Sequence, residues 1–261
     1  MVHAVPDILA RIVDHKRAEL PGNLPRQADL EKRAAQRNDY RDFRAALTIG
    51  VPAIIGEIKK ASPSKGTLSE TFDPASIART YHQGGAAALS VLTDREFFQG
   101  GLEDLAAARA SVPLPALRKD FTLHEFHVIE AAAHGADAIL LIAAVLEETD
   151  LRRLRELAER SRMAVLVEVH DADELRRALA SGATIVGVNN RNLHTFEVSL
   201  RTSLQLAEMI PTDVVKVSES GIHSRADVAR LQEAGYQAFL VGEHLMKSPD
   251  PAAALRDLRS S

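Results

Sequence analysis

The sequence predicts an α/β fold, a single closed (β/α)8 barrel (TIM barrel) with an N-terminal helical extension, and three observations carry that expectation. Its 261 residues lie close to the roughly 250 of one complete barrel. From Ala53 onward, short runs rich in Val, Ile and Leu alternate with longer charged amphipathic segments, as expected when each parallel strand is followed by a helix. About eight such units follow one another without a break, which favours a closed barrel over an open doubly wound sheet.

Residues 1–261 are expected to form one domain, with 1–50 as the extension and 51–261 as the barrel. In the extension, Pro6 to about Leu20 reads as an amphipathic helix, Pro21-Gly22-Asn23-Leu24-Pro25 as its break, and the stretch through about Arg37 as a second helix. The strands are read as Ala53–Ile58, Ala87–Leu92, Pro115–Lys119, Asp137–Ile142, Ala164–Val169, Thr184–Asn189, Val214–Glu219 and Ala238–Val241. Helix punctuation fills the gaps. Asp73-Pro74 supplies an N-cap and a first-turn proline, and Gly84-Gly85 ends that helix. Asp171 with Glu174 resembles a capping box, Gly182 is placed to terminate, and Ser224 through Gly235 repeats the logic. Leu151, Leu154 and Ala158 make an apolar stripe opposite Arg152, Arg153, Arg155 and Glu156, whose charges read as a solvated face.

Composition excludes several function classes. A formal charge of −4 gives no basic patch for nucleic acid or an anionic membrane. With no cysteine there is no disulfide framework, thiolate metal site or cysteine nucleophile, which fits a reducing cytoplasm. Asp7, Arg11, Asp14, Lys16, Arg17 and Glu19 interrupt any apolar leader, so no export signal is expected. The longest apolar run, Ala138 to Leu146, is about half of the ~20 residues a membrane span requires. His124-Glu125-Phe126-His127 lacks the metalloprotease spacing and reads as two surface histidines on a helix. No Gly-rich nucleotide fingerprint or nucleophile elbow occurs.

Charge on strands that should be apolar on both faces is the informative departure, because an ionised group there must be paired or lie at an open end. Glu57 and Lys59, two apart, face the same side of the first strand near its end. Lys119 ends the third strand, Glu168 lies near the end of the fifth, Asn189 and Asn190 end the sixth, and Glu219 ends the seventh. Ionisable groups at the same end of different strands would converge on one mouth, where barrel enzymes place their chemistry. Plugging ion pairs explain any one of these residues about as well, but the set jointly points to acid–base catalysis on a carbonyl. Ser220-Gly221 after the seventh strand and Gly242 after the eighth match a phosphate cradle, and Ser62-Pro63-Ser64-Lys65-Gly66 adds donors after the first. Phe97-Phe98 and Phe121 lie just beyond strand ends, where either core packing or an aromatic ligand would use them.

Several ordered motifs resemble the indole-3-glycerol-phosphate synthase family: Ile55-Gly56-Glu57-Ile58-Lys59-Lys60-Ala61-Ser62-Pro63-Ser64, Leu92-Thr93 with Phe98, Leu117-Arg118-Lys119-Asp120-Phe121, Leu166-Val167-Glu168-Val169, Val188-Asn189-Asn190-Arg191-Asn192-Leu193 and Val217-Ser218-Glu219-Ser220-Gly221-Ile222. The segment from Ile8-Leu9 to Lys16-Arg17 looks like that family's helix before the barrel.

The resemblance implies a lyase of tryptophan biosynthesis that cyclises 1-(o-carboxyphenylamino)-1-deoxyribulose 5-phosphate with loss of carbon dioxide and water, using no metal and no organic cofactor. By matching position, Lys119 would protonate the substrate carbonyl oxygen as the aromatic carbon attacks it. Lys59 would pair with the substrate carboxylate or deliver a proton during dehydration, and Glu57 would remove the ring proton. Glu168 would stabilise positive charge on the anilino nitrogen, while Asn189, Arg191 and Glu219 would hold the sugar hydroxyls and the charge network. Ser62, Ser220, Gly221, Gly242 and the amide of Glu243 would take the phosphate, and Pro63, Phe98, Phe121, Leu140 and Ile142 the aryl ring. Glu243 and His244 depart from the small residues common at those positions, so the Glu243 side chain is expected to turn away from the phosphate. A phosphorylated small molecule is the expected partner, with a cytoplasmic monomer or weak homo-oligomer and association with other tryptophan-pathway enzymes as the assembly expectation. The rival readings are another phosphosugar barrel enzyme, such as phosphoribosylanthranilate isomerase or a thiamine-phosphate synthase, and a non-catalytic barrel scaffold.

Overall fold

A computed structural model describes residues 7–63, 66–68 and 71–260. Eight parallel strands close into a barrel: β1 (Ala53–Ile58), β2 (Ala88–Leu92), β3 (Ala116–Lys119), β4 (Ala138–Ile142), β5 (Ala164–Val169), β6 (Ile185–Asn189), β7 (Val215–Glu219) and β8 (Ala238–Val241). Each pairs with its neighbour in sequence, and β1 closes the ring against β8, with Gly56 opposite Val241. The helices, in chain order, are α1 (Asp7–Asn23), α2 (Gln27–Gln36), α3 (Phe43–Thr48), α4 (Pro74–Gln83), α5 (Arg95–Phe98), α6 (Leu102–Ser111), α7 (Glu125–Ala133), α8 (Glu148–Arg160), α9 (Ala172–Ala180), α10 (Arg201–Leu206), α11 (Arg225–Glu233), α12 (Glu243–Met246) and α13 (Pro251–Arg259).

Strand alternation sorts the apolar residues into two layers. Ile55, Leu117, Leu140, Leu166, Val217 and Leu240 fill the barrel interior. Ile54, Ile58, Val91, Ile139, Val167 and Phe239 point outward and pack against the helices. Phe43 and Leu47, one turn apart on α3, join the interior cluster and close the barrel floor. Six residues give too short a period to read α3 from sequence.

Local chemistry sets the helix starts. Asp73 caps α4 by accepting from Ala75 N at 3.0 Å and Ser76 N at 3.1 Å. Ser224 and Asp227 form a reciprocal capping box on α11. At α9, Asp171 caps alone: Glu174 reaches past it to the backbone N–H of His170 at 2.8 Å, so the expected box is not formed there.

Two further expectations need correction. The first helix runs through Pro21 and Gly22 to Asn23, because a proline in the last turn removes a single hydrogen bond, and a 3-10 turn, Leu24–Arg26, follows. Pro6 lies outside the described residues. His127 is buried in α7, where its Nδ1 accepts from Leu123 N at 3.1 Å. Burial, aided by the Arg118 charge, drives its pKa down to about 3, so it is a neutral core histidine and not a surface one. His124 caps the same helix by accepting from Phe126 N.

The extension is tied to both ends of the barrel. At the floor, Arg37 and the backbone N–H of Arg41 converge on Asp137 just before β4. At the opposite end, Lys16 of α1 meets Asp120 at 2.9 Å and Asp94 at 3.1 Å, both carboxylates buried. His15 sits edge-on against Phe97, leaving its neighbour Phe98 free to face the other way.

Candidate active site

The C-terminal ends of the strands open into a cavity of about 470 Å³, the size range of small-molecule sites. Glu57 of β1 and Lys59 just beyond it, Lys119 of β3, Glu168 of β5, Asn189 of β6 and Glu219 of β7 all line it. They arrive together because each lies at an inward position at or next to a strand's C-terminal end, and parallel strands all end at the same rim.

These side chains form one network. Lys119 Nζ donates to Glu168 Oε2 at 2.7 Å and to Glu219 Oε2 at 2.8 Å. Lys59 forms a short ion pair with Glu57. Asn189 Nδ2 donates to Glu168 Oε1 at 3.2 Å, while its Oδ1 accepts from Arg191 N at 3.0 Å and Ser220 Oγ at 2.9 Å. Asn190 points the other way and is spent on structure, bonded to Ser218, Ser203 and the Ser220 carbonyl.

Charge in this dry setting is unevenly shared. Burial works against the Lys119 ammonium, but Glu168, Glu219 and Glu57 outweigh it and hold the amine charged above the usual lysine range. Burial pushes the Glu219 carboxyl up to about 7; the Lys119 ammonium opposes this and the neighbouring Glu168 charge adds to it. Burial would raise Glu168 as well, yet Lys119 and His170 hold it well below the usual carboxylate range. One ammonium between two carboxylates thus leaves one firmly ionised and the other ready to take a proton near neutrality.

Two glycines make room for this arrangement. A methyl group on Gly187 of β6 would fall on Glu219 Oε1, and one on Gly242 would fall on Glu57 Oε1. Gly187→Ala is therefore expected to leave the barrel folded while pushing Glu219 off Lys119. Turnover should drop by on the order of 10²-fold, the cost of a misplacement of about 1 Å. Unchanged steady-state turnover in a normally melting variant would show that the close approach does not matter.

The walls divide by chemistry. Pro63, Phe98, Phe121, Leu140 and Ile142 are apolar lining, with the rings of Phe98 and Phe121 6.3 Å apart. Ile8, Leu9 and Ile12 of α1 complete that wall, and Phe196 and Val198 extend it from the loop after β6. Sequence reasoning did not place these five at the site, since none of them lies next to a strand end. Ser62, Ser220, Gly221, Gly242 and Glu243 gather on the rim, with Arg191 nearby. Glu243 turns along its own helix to accept from Lys247 at 2.7 Å. Ser64 and Lys65 lie outside the described residues. His244, noted in the sequence, borders the rim together with His223, which the sequence did not single out; their ring centroids are 6.0 Å apart.

Ionisable groups converging from the ends of four strands, beside a rim built by the loops after β7 and β8, define an acid–base barrel enzyme for a small phosphorylated molecule. Comparison with known proteins resolves the class. The family model for indole-3-glycerol phosphate synthase matches residues 9–258. An indole-3-glycerol phosphate synthase from Albidiferax ferrireducens is 52% identical over 258 residues, covering 97% of this chain and 98% of that protein. One from Koribacter versatilis is 50% identical over 256 residues, covering 96% and 98%. The chain belongs to the indole-3-glycerol phosphate synthase family, carbon–carbon lyases of tryptophan biosynthesis that release carbon dioxide. Solved structures show the fold more widely. A 3-hexulose-6-phosphate synthase superposes with TM-score 0.63 at 17% identity, over 80% of this chain and 98% of that one. The thiamine phosphate pyrophosphorylase of Pyrococcus furiosus gives 0.61 at 17%, over 79% and 93%.

Proposed function

We propose that ring closure in this lyase takes place above Lys119, and the observation that carries the reading is the Lys119 ammonium held between Glu168 and Glu219 on the cavity floor. The substrate is 1-(o-carboxyphenylamino)-1-deoxyribulose 5-phosphate. Its phosphate sits at the rim on Ser62, Ser220, Gly221, Gly242 and the Glu243 amide, and its aryl ring lies among Pro63, Phe98, Phe121, Leu140 and Ile142.

With the two ends fixed, the ring carbon bearing the carboxylate attacks the keto carbon, and Lys119 protonates the oxygen as it becomes an alkoxide. An alkoxide is a much stronger base than either carboxylate, so even a firmly held ammonium proton transfers to it. Positive charge spreads onto the anilino nitrogen, where ionised Glu168 stabilises it. The bond to the carboxylate then breaks, its electron pair restores the aromatic ring, and carbon dioxide leaves. Dehydration needs an acid and a base side by side, which the Lys59–Glu57 pair supplies: Glu57 takes the proton from the new five-membered ring, and Lys59 protonates the departing hydroxyl. Asn189, Arg191 and Glu219 orient the sugar hydroxyls.

The chain is read as a monomer or weak homo-oligomer acting in the cytoplasm, with other enzymes of the tryptophan pathway as the partners it would meet. Among the described residues no helix is long and apolar enough to cross a membrane. Purified protein given the substrate is expected to generate indole fluorescence together with an equal amount of carbon dioxide. A folded sample producing neither would overturn the reading.

A further inference from the structure

β5 ends at Val169, and His170, the next residue, turns back to the side on which Glu168 lies. His170 stands behind Glu168 and is held from its far side. Its Nδ1 lies 3.0 Å from Glu174 Oε2, and the same oxygen accepts the His170 backbone N–H at 2.8 Å. This double anchor, from the first turn of α9, fixes the ring so that Nε2 points forward. Nε2 is buried, has no hydrogen-bond partner, and stops 3.4 Å from Glu168 Oε1. A buried donor left unsatisfied is costly, so its aim at a carboxylate that faces the cavity calls for a reason.

We propose that His170, anchored on Glu174, is a positioning residue that fixes both the orientation and the charge of Glu168 during ring closure. The proposal rests on the role given above to Glu168. Two donors and an imidazole then bracket that carboxylate: Lys119 bonds Oε2, Asn189 bonds Oε1, and His170 Nε2 faces Oε1 at ion-pair distance. The charged groups facing the imidazole are Glu168 on its own strand and Glu174 on α9, with Lys119 of β3 and Glu219 of β7 beyond Glu168. Burial opposes a charged imidazole here, but the two glutamates outweigh it and raise its pKa to about 10. The cation explains why Glu168 and Glu219, which share Lys119, differ in proton affinity: Glu168 has a second positive neighbour and Glu219 has none of that kind. Without the imidazolium the shared proton would spread onto Glu168, and fewer molecules would carry the charge that ring closure requires.

The experiment compares kcat and KM against pH for wild type, His170→Ala, His170→Gln, Glu174→Gln and Glu168→Gln. His170→Ala is expected to lower kcat about tenfold with KM within about twofold. Losing a nearby cation raises the Glu168 pKa, so the acid limb of its kcat profile should move up by about one unit. His170→Gln restores a donor without charge and should recover part of kcat while keeping the shifted limb, and Glu174→Gln should move the limb the same way by less. Imidazole 15N resonances of the wild type, assigned by their loss in His170→Gln, should show both nitrogens protonated at pH 8.

A folded His170→Ala with wild-type kcat and limb, a loss confined to KM, or a neutral His170 at pH 8 would each overturn the proposal. Should His170→Ala fail to fold, the His170→Gln profile and the wild-type resonances decide. Full kcat in Glu168→Gln removes the role of Glu168 and this proposal with it; inactive Glu168→Gln beside a wild-type-like His170→Ala removes this proposal alone.

Discussion

Lys119→Met is expected to abolish measurable ring closure, lowering turnover by about 10²–10⁴-fold, the range for a positioned acid, while the protein stays folded. Methionine keeps an unbranched side chain only one atom shorter and removes its charge and donors. On the proposed role the loss falls on kcat, because the ammonium would act on the oxygen only as it becomes an alkoxide, whereas other groups would hold the phosphate and aryl ring. Removing a cation from between two buried carboxylates would ordinarily threaten the fold. Here Glu219, already raised to about 7, can accept a proton and leave Glu168 as the lone anion, with Asn189 and His170 still beside it. Circular dichroism should therefore match wild type, and a non-reacting substrate analogue should still bind. Turnover within a few-fold of wild type would remove Lys119 from the role given to it.

The parts of this molecule legible in sequence are those where a chemical requirement repeats along the chain. The strands were readable because burial on both faces demands unbroken apolar runs, and β1, β5 and β8 begin and end where those runs do. Glu57, Lys119, Glu168 and Glu219 stood out because charge inside such a run needs a cause. His170 carried the same signal, being two residues beyond Glu168, but a histidine at a strand exit is unremarkable until Glu174 is seen to anchor it. The wall formed by Ile8, Leu9 and Ile12 was not legible, because it depends on how α1 docks over the mouth, and that is set by Lys16 meeting Asp94 and Asp120 far along the chain. Glu174 misled for a related reason. Its spacing from Asp171 suits a capping box, but the unpaired N–H of His170 competes for the carboxylate and wins.

Asp137 is the residue whose loss should cost the most stability. It lies fully buried just before β4, at the end of the barrel opposite the cavity, and five N–H groups converge on its carboxylate. Arg37 Nη2, Arg109 Nη2 and the backbone of Arg41 meet Oδ1 at 2.7, 3.0 and 3.0 Å; Arg109 Nε and the backbone of Ala116 meet Oδ2 at 2.8 and 3.0 Å. One side chain thus joins the extension, α6 and the start of β3. Asp137→Ala would take from the shielded Arg37 and Arg109 guanidinium groups their buried counter-charge and leave them only the exposed Asp39, a change that costs about 3–5 kcal/mol. For a chain of this size the melting temperature should fall by on the order of 10 °C. Asp137→Asn, which retains one acceptor oxygen, should lie between the variant and wild type. Because the site is at the other rim, kcat per folded molecule at low temperature should be nearly unchanged. A melting curve for Asp137→Ala within about 2 °C of wild type would mean that the extension is held by its other contacts, Lys16 with Asp94 and Asp120 foremost.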